Sequence, residues 1–296
     1  MSAIEIRELS IPASADAPGA AEFFAAMDLR NETEAEGYSS REMDESHAES
    51  IADWGDQEYE PKRLFVAELD GELAGFGKYE TRSSDDSMAW LFEGVAPGFR
   101  RRGVGSAIAD HLEATARADG RAAVIAYTVS APGSGERLPS PTGFGSVPAG
   151  NPEVLFLRGR GYALEQVLRA SRLALPLAVD IPPAPAGYRL VRWTGATPPE
   201  WLDDVAMLYT RMSTDAPTAG LDEPEDPWDA QRVISLEDRV ADDGRTLHLS
   251  AVEHGGHLVG MSQLATPPEP GRPAVQWETI VLAEHRGRGL GMLLKA

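Results

Sequence analysis

The sequence predicts an α/β chain built from two similar modules in tandem. Three observations lead there. The chain has 296 residues, about twice the usual size of one domain, which is roughly 150 residues. Each half runs through the same order of strand, two helices and a hairpin. Short sets of identical residues recur between the halves at a near-constant offset, which is the mark of a duplication.

In the first half, residues 4–12 alternate as an opening strand. Residues 21–27 and 43–54 read as helices. Residues 63–69 and 73–81 read as strands joined by Asp70-Gly71, a strong hairpin signal. Residues 88–95 form an apolar strand that ends before Pro97. Residues 103–119 form an amphipathic helix, with Val104, Ile108 and Leu112 on one face, Ala116 close to it, and Gly120 as its stop. Residues 122–129 are apolar enough for a buried strand. Residues 130–150, rich in Gly, Pro and Ser, read as a loop, and residues 161–175 as closing strands.

Residues 176–187 contain Ile181-Pro182-Pro183-Ala184-Pro185, a stiff connector. The expected division is therefore a domain of residues 1–175, a linker of 176–187 and a second domain of 188–296. In the second half, 188–193 reads as a strand, 200–212 and 231–241 as helices, 247–253 and 258–264 as a hairpin, and 274–282 as a strand. A further helix begins near Gly289. Glu68, Gly71, Leu73 and Gly75 recur as Glu253, Gly256, Leu258 and Gly260; Val95, Arg100, Arg102, Gly103 and Gly105 recur as Val281, Arg286, Arg288, Gly289 and Gly291.

Composition narrows the function. There is no cysteine, which excludes a thiol nucleophile, a disulfide framework and thiolate metal sites; no metal is expected, and a cytoplasmic location fits. The first residues lack a basic stretch followed by an apolar run, so no signal peptide is read there. No apolar run approaches the ~18 residues of a membrane span. The net charge of −20 disfavours nucleic acid and anionic membrane as partners. It favours cationic ones, amines included, although solubility is the plainer reading. Lysine occurs only at Lys62, Lys78 and Lys295, a bias that suggests a GC-rich bacterial source.

The chemistry lies in the second repeated set. The first copy reads Val95-Ala96-Pro97-Gly98-Phe99-Arg100-Arg101-Arg102-Gly103-Val104-Gly105-Ser106, and the second Val281-Leu282-Ala283-Glu284-His285-Arg286-Gly287-Arg288-Gly289-Leu290-Gly291. Each joins an apolar strand to an amphipathic helix. Glycines let the backbone turn tightly and approach a ligand. The first amides of the helix lack internal partners and carry the positive end of its dipole, so a pyrophosphate suits them. The arginines add cationic character. A dinucleotide fold is disfavoured, because the glycines follow a meander of hairpins and not the first strand of a βαβ unit. Arg100–Arg102 as a nucleic-acid patch is disfavoured by the acidic balance.

Arg100-x-x-Gly103-x-Gly105 and Arg286-x-x-Gly289-x-Gly291, each after a valine-ended strand, resemble the coenzyme A signature of the GNAT superfamily of N-acetyltransferases. Residues 276–291 resemble tandem GNAT proteins of actinobacteria especially closely. The resemblance implies two GNAT modules with mixed, mostly antiparallel sheets, using acetyl-CoA as cosubstrate. It places cofactor contacts on Val95, Ala96, Pro97, Arg100, Arg101, Arg102, Gly103, Val104, Gly105 and Ser106, and on Val281, Arg286, Gly287, Arg288, Gly289, Leu290 and Gly291. It implies direct attack by the amine of a small molecule or peptide on the thioester. The amides of Val95 and Val281 would hold the acetyl oxygen. Coenzyme A enters such a fold where its fourth and fifth strands splay.

Glu93, two residues before Val95 and so on the same strand face, is the candidate base; the plainer reading is a partly exposed carboxylate at a strand end. Glu278 lies three before Val281, on the opposite face unless a bulge intervenes. The sequence departs from the family in two places. Leu157 stands where a tyrosine acid is expected, with Tyr162 read as strand core. The sequence also stops inside the helix after Gly291, so the second module is expected to be incomplete, with Met292, Leu293 and Leu294 short of cover. Two rival readings follow: a non-catalytic acyl-CoA-binding module, and a partner-binding protein whose turns stay empty. Residues 221–228, containing Asp222, Glu223, Glu225 and Asp226, suggest either a guide for a cationic amine or, more plainly, a solvated loop. The oligomeric state is not legible.

Overall fold

Alternation along one strand shows how the first module is layered. In Lys62–Leu69, Leu64 and Val66 join a buried cluster with Phe23, Met27, Trp54 and Phe76. Phe65 and Ala67 join another with Leu91, Val104, Ile108 and Leu112. One sheet is thus covered on both faces. The computed structural model describes residues 3–175, 183–215, 220–221 and 223–296, and it divides into two units, Met1–Val167 and Leu168–Ala296.

The first unit contains β1 (Ile4–Leu9), α1 (Ala20–Tyr38), α2 (His47–Trp54), β2 (Lys62–Leu69), β3 (Glu72–Arg82), β4 (Asp85–Val95), α3 (Val104–Ala118), β5 (Ala123–Ala126), β6 (Arg137–Pro139), β7 (Ser146–Pro148) and α4 (Pro152–Gly159). Its main sheet has the order β1-β2-β3-β4-β5. All neighbours are antiparallel except β4 and β5, which α3 connects in parallel. The sheet is mixed and mostly antiparallel.

The second unit contains β8 (Arg189–Thr194), α5 (Leu202–Asp215), α6 (Ala230–Asp242), β9 (Thr246–His254), β10 (His257–Thr266), β11 (Val275–Val281) and α7 (Leu290–Lys295). Its sheet runs β8-β9-β10-β11, all antiparallel, the order of β1 to β4. The duplication extends to detail. Both hairpins turn on two positive-φ residues, Asp70 (60°) with Gly71 (80°) and Gly255 (64°) with Gly256 (90°). Both then carry a bulge of one residue, Ala74 and Val259, before the repeated glycine. A Cβ on Gly75 would lie 2.8 Å from the Gly94 carbonyl oxygen, and one on Gly260 would lie 2.8 Å from that of Ile280. The glycine recurs because a neighbouring strand passes too close for any side chain.

Several expectations need correction. Helix α2 starts at His47 and not at Met43, because Ser46 caps it: its hydroxyl accepts the Glu49 amide at 3.2 Å, and the Glu49 carboxylate accepts the Ser46 amide at 2.7 Å. Helix α1 runs to Tyr38, well past residue 27, held by charged pairs such as Arg30–Glu34 at 3.0 Å that leave no apolar period to read. Residues 161–175 form no strand; the segment before them is α4, which opens with Pro152 at its first turn. The loop of 130–150 holds the β6–β7 hairpin. In the second unit, Leu293 and Leu294 are not short of cover: both are 3% exposed in a core with Leu208, Leu258 and Met261, while Met292 is 68% exposed. Residues 176–182, most of the expected connector, and Asp222 lie outside the described residues. Asp226 is not solvated; it is buried against Arg232 at 2.8 Å. Among the described residues, no helix is long and apolar enough to cross a membrane.

Candidate functional site

The last turn of β4 leaves its neighbour behind. Pairing with β5 covers Met88 to Leu91, and the Tyr127 amide adds a bond to the Leu91 carbonyl at 3.1 Å. Beyond that point β5 has ended, and Glu93 and Val95 present backbone groups to an edge that no strand covers among the described residues. The direction of those groups follows from alternation: the Ala96 amide bonds Ala74 on β3 at 3.0 Å, so the Val95 amide faces the other way, into the splay. Gly94 faces α1, where a Cβ would lie 2.9 Å from the Thr33 hydroxyl.

The turn that follows is built for close approach. Pro97–Phe99 form one 3-10 turn, Arg101 takes φ 61° and Gly103 φ 91°. The Ala107 amide is the first in α3 with a helical acceptor, bonding Gly103 at 3.0 Å. The amides of Val104, Gly105 and Ser106 precede it, and Gly103 offers no side-chain cap. A backbone-walled cradle of this kind at a helix start fits a diphosphate. The arginines are more committed than the sequence suggests. Arg100 Nε donates to the Val95 carbonyl at 3.1 Å and its guanidinium pairs with Glu36 at 2.7 Å; Arg102 pairs with Asp70 at 3.0 Å. Arg101 is exposed.

Glu93 sits on the α3 face of β4, where burial pushes its carboxyl up to about 7, with the Arg160 charge opposing and the Glu113 charge adding. Around it lie Glu113 of α3, whose carboxylate accepts from Arg160 Nε at 2.9 Å and from the Tyr162 hydroxyl at 3.3 Å. Tyr162 is therefore not strand core. It follows α4, and burial with the Glu113 and Glu93 charges pushes its hydroxyl up to about 12. Leu157 lies within α4. Phe156 of α4 borders the turn, 3.9 Å from a Cβ placed on Gly105. Glu36, Glu113 and Arg160 escaped the sequence reading because no spacing connects them to the motif.

The second turn repeats the first. Gly287 (φ 76°) stands where Arg101 stands, and Gly289 (φ 77°) where Gly103 stands. The Leu282 amide bonds Val259 at 3.0 Å, so the Val281 amide faces the free edge of β11. Arg286 Nε donates to the Val281 carbonyl at 2.8 Å and its guanidinium pairs with Asp215 at 3.1 Å. A cleft of about 420 Å³ opens here, lined by Met212, Asp215, Thr279, Ile280, Val281, Arg286, Gly287, Gly289, Leu290 and Gly291. Two residues before Val281 stands Thr279, bonded to Ser262 at 3.0 Å, where Glu93 stands in the first copy. Glu278 lies on the α5 side: its charge raises the buried Tyr209 hydroxyl, after burial itself, and burial raises Glu278 in turn. A bulge does occur in β11, between Gln276 and Thr279, but Glu278 stays on the face that alternation from Val281 gives it.

Residues 24–133 match the sequence model of the acetyltransferase (GNAT) family. No curated protein matches the chain. Among solved structures, a tandem GNAT protein from the clavulanic acid biosynthesis pathway, without acetyl-CoA, is 21% identical, with 99% of this chain and 83% of that one covered and a TM-score of 0.66. A GCN5-related N-acetyltransferase from Sphaerobacter thermophilus is 18% identical, with 98% and 80% covered and a TM-score of 0.57. By residues 24–133 the chain is similar to the GNAT family, and over its length it has the fold of a tandem GNAT protein.

Proposed function

We propose that the chain transfers an acetyl group from acetyl-CoA to the amine of a small molecule or peptide, and that the first module is the working site. The observation that carries this reading is the juxtaposition at the end of β4. An amide with no strand partner, a carboxyl raised to about 7 and a backbone-walled turn lie within the stretch Glu93 to Ser106.

Amides of Val104, Gly105 and Ser106 would hold the pyrophosphate, with Arg101 nearby as a cation and Ala96 and Pro97 shaping the entry. Acetyl-CoA supplies an activated thioester. The Val95 amide points where it can donate to an acetyl oxygen as that oxygen gains charge. As the amine nitrogen bonds the acetyl carbon, the C–S bond breaks, coenzyme A leaves as a thiolate that takes a proton from water, and Glu93 takes the proton from the amine; a carboxyl near 7 is half ionised at neutral pH and basic enough to accept it. Tyr162 keeps its proton through the neutral range and bonds Glu113.

For the second module a specific observation favours the non-catalytic reading. Thr279, which is neither acid nor base at neutral pH, occupies the position of Glu93. Val281, Gly287, Gly289, Leu290 and Gly291 line a cleft suited to holding an acyl-CoA without turning it over. The test is release of free coenzyme A from acetyl-CoA with a panel of amines. The expected result is amine-dependent release that Glu93→Gln abolishes and Thr279→Ala leaves in place. Release that needs Thr279 but not Glu93 would reverse the assignment of modules.

A further inference from the structure

The first arginine of each turn performs the same three-way contact in both modules. Its Nε bonds the carbonyl of the strand's last valine, at 3.1 Å from Arg100 to Val95 and 2.8 Å from Arg286 to Val281. Its guanidinium pairs with a carboxylate in the last turn of the module's first helix, Glu36 of α1 at 2.7 Å and Asp215 of α5 at 3.1 Å. The two acids are different residues at different distances from their helix ends: α1 continues to Tyr38, whereas Asp215 is the last residue of α5. Asp215 is also gripped by Arg211 at 2.9 Å. Two local sequences reach one arrangement by different means, which points to a shared task.

We infer that Glu36 and Asp215 are positioning residues that set the direction of the Val95 and Val281 amides through Arg100 and Arg286. This inference rests on the acetyl-CoA reading above. A strand's last residue normally loses the ladder bonds that fix its peptide planes. Here the peptide plane after the valine is held on both sides: its carbonyl by arginine, and its N–H by the bulge residue, Ala96 to Ala74 and Leu282 to Val259, both at 3.0 Å. With that plane fixed, the preceding amide can aim only into the splay. The carboxylate matters because a lone arginine on a half-exposed stem samples many rotamers, while a charge-assisted pair anchors the fork. Both pairs are partly exposed, with Arg100 and Glu36 at 43% and 46%, so the effect is a few-fold and not all-or-none.

The test is equilibrium titration of the full chain with acetyl-CoA and, separately, with free coenzyme A, which lacks the acetyl oxygen. A single hydrogen bond to that oxygen makes acetyl-CoA bind about five-fold tighter in the wild type. In Glu36→Ala/Asp215→Ala that preference falls towards unity while coenzyme A binds as before. Glu36→Gln/Asp215→Gln keeps neutral acceptors and so retains most of the preference. Thermal unfolding without ligand confirms that each variant is folded. An undiminished preference in the double alanine variant overturns the inference, and so does equal weakening of both ligands, which would put the arginines on the diphosphate. A wild type that binds both ligands equally also overturns it. A wild type that binds neither ligand removes the acetyl-CoA reading itself.

Discussion

Burial at Glu93 couples the protein's stability to pH in a direction that can be checked. Its folded-state carboxyl titrates near 7, above the 4.5 of an unburied glutamate, so the folded state holds the proton more tightly. The stability this gives is full below about 4.5, is lost as pH rises through the window from there to about 7, and is absent above it. Glu93→Gln should therefore nearly match the wild type at pH 4.5 and exceed it at pH 8 by about 3 kcal/mol, measured by denaturant unfolding. The same substitution should lower amine acetylation by about 10² while leaving cofactor affinity unchanged. The wild-type rate should rise with pH and level off above about 7; a rate flat from pH 5 to 8 would remove Glu93 as the base. Arg101 makes a second test. It holds φ 61° where the other module has glycine, a cost of about 1 kcal/mol. Arg101→Gly should stabilise the first module by that order, seen as a rise in its unfolding midpoint. Glu93 and Val95 lie on one strand and the glycines in a tight turn where the sequence places them, because strand alternation and motif spacing are local. Tyr162 follows a helix and bonds Glu113, a partner on another helix that no local pattern in the sequence announces.

Elements were readable where an apolar period is strong. Strands β2, β3, β4 and β9 to β11 and helix α3 lie within a few residues of their expected positions. Three features escaped for physical reasons. Helix α1 continues beyond Leu29 on a charged stretch with no apolar stripe; α4 depends on Pro152 at its start; and β5 stops at Ala126, where the splay begins. The repeated glycines after the hairpins are explained only by the structure, which brings the carbonyl of the next strand to 2.8 Å from the missing Cβ. At Gly75 the Ile108 side chain would also meet that Cβ, at 2.7 Å. Gly75→Ala and Gly260→Ala should each destabilise their own module by roughly 1–3 kcal/mol. Equal unfolding midpoints for the wild type and both variants would contradict the close approach.

Each module buries its own apolar residues, the first in clusters around Phe76 on one sheet face and around Ile108 and Leu112 on the other, the second around Leu208, Leu258 and Met261. Residues 168–175 form no helix or strand, and Leu168, Leu173 and Leu175 are 71%, 65% and 75% exposed. Limited proteolysis should therefore cut there first and leave two resistant fragments; rapid loss of the C-terminal fragment would show that its core does not stand alone. The two modules share one turn geometry, and the central claim is that these turns hold acetyl-CoA. Gly105 and Gly291 allow a direct test, because neither has positive φ and a Cβ meets nothing closer than 3.4 Å at Gly105 and nothing within 4 Å at Gly291. Glutamate at both positions is tolerated by the fold but sets a negative charge where the pyrophosphate belongs. Equilibrium titration of acetyl-CoA should show saturable binding to the wild type and none to folded Gly105→Glu/Gly291→Glu. Wild-type affinity in that variant would contradict the account.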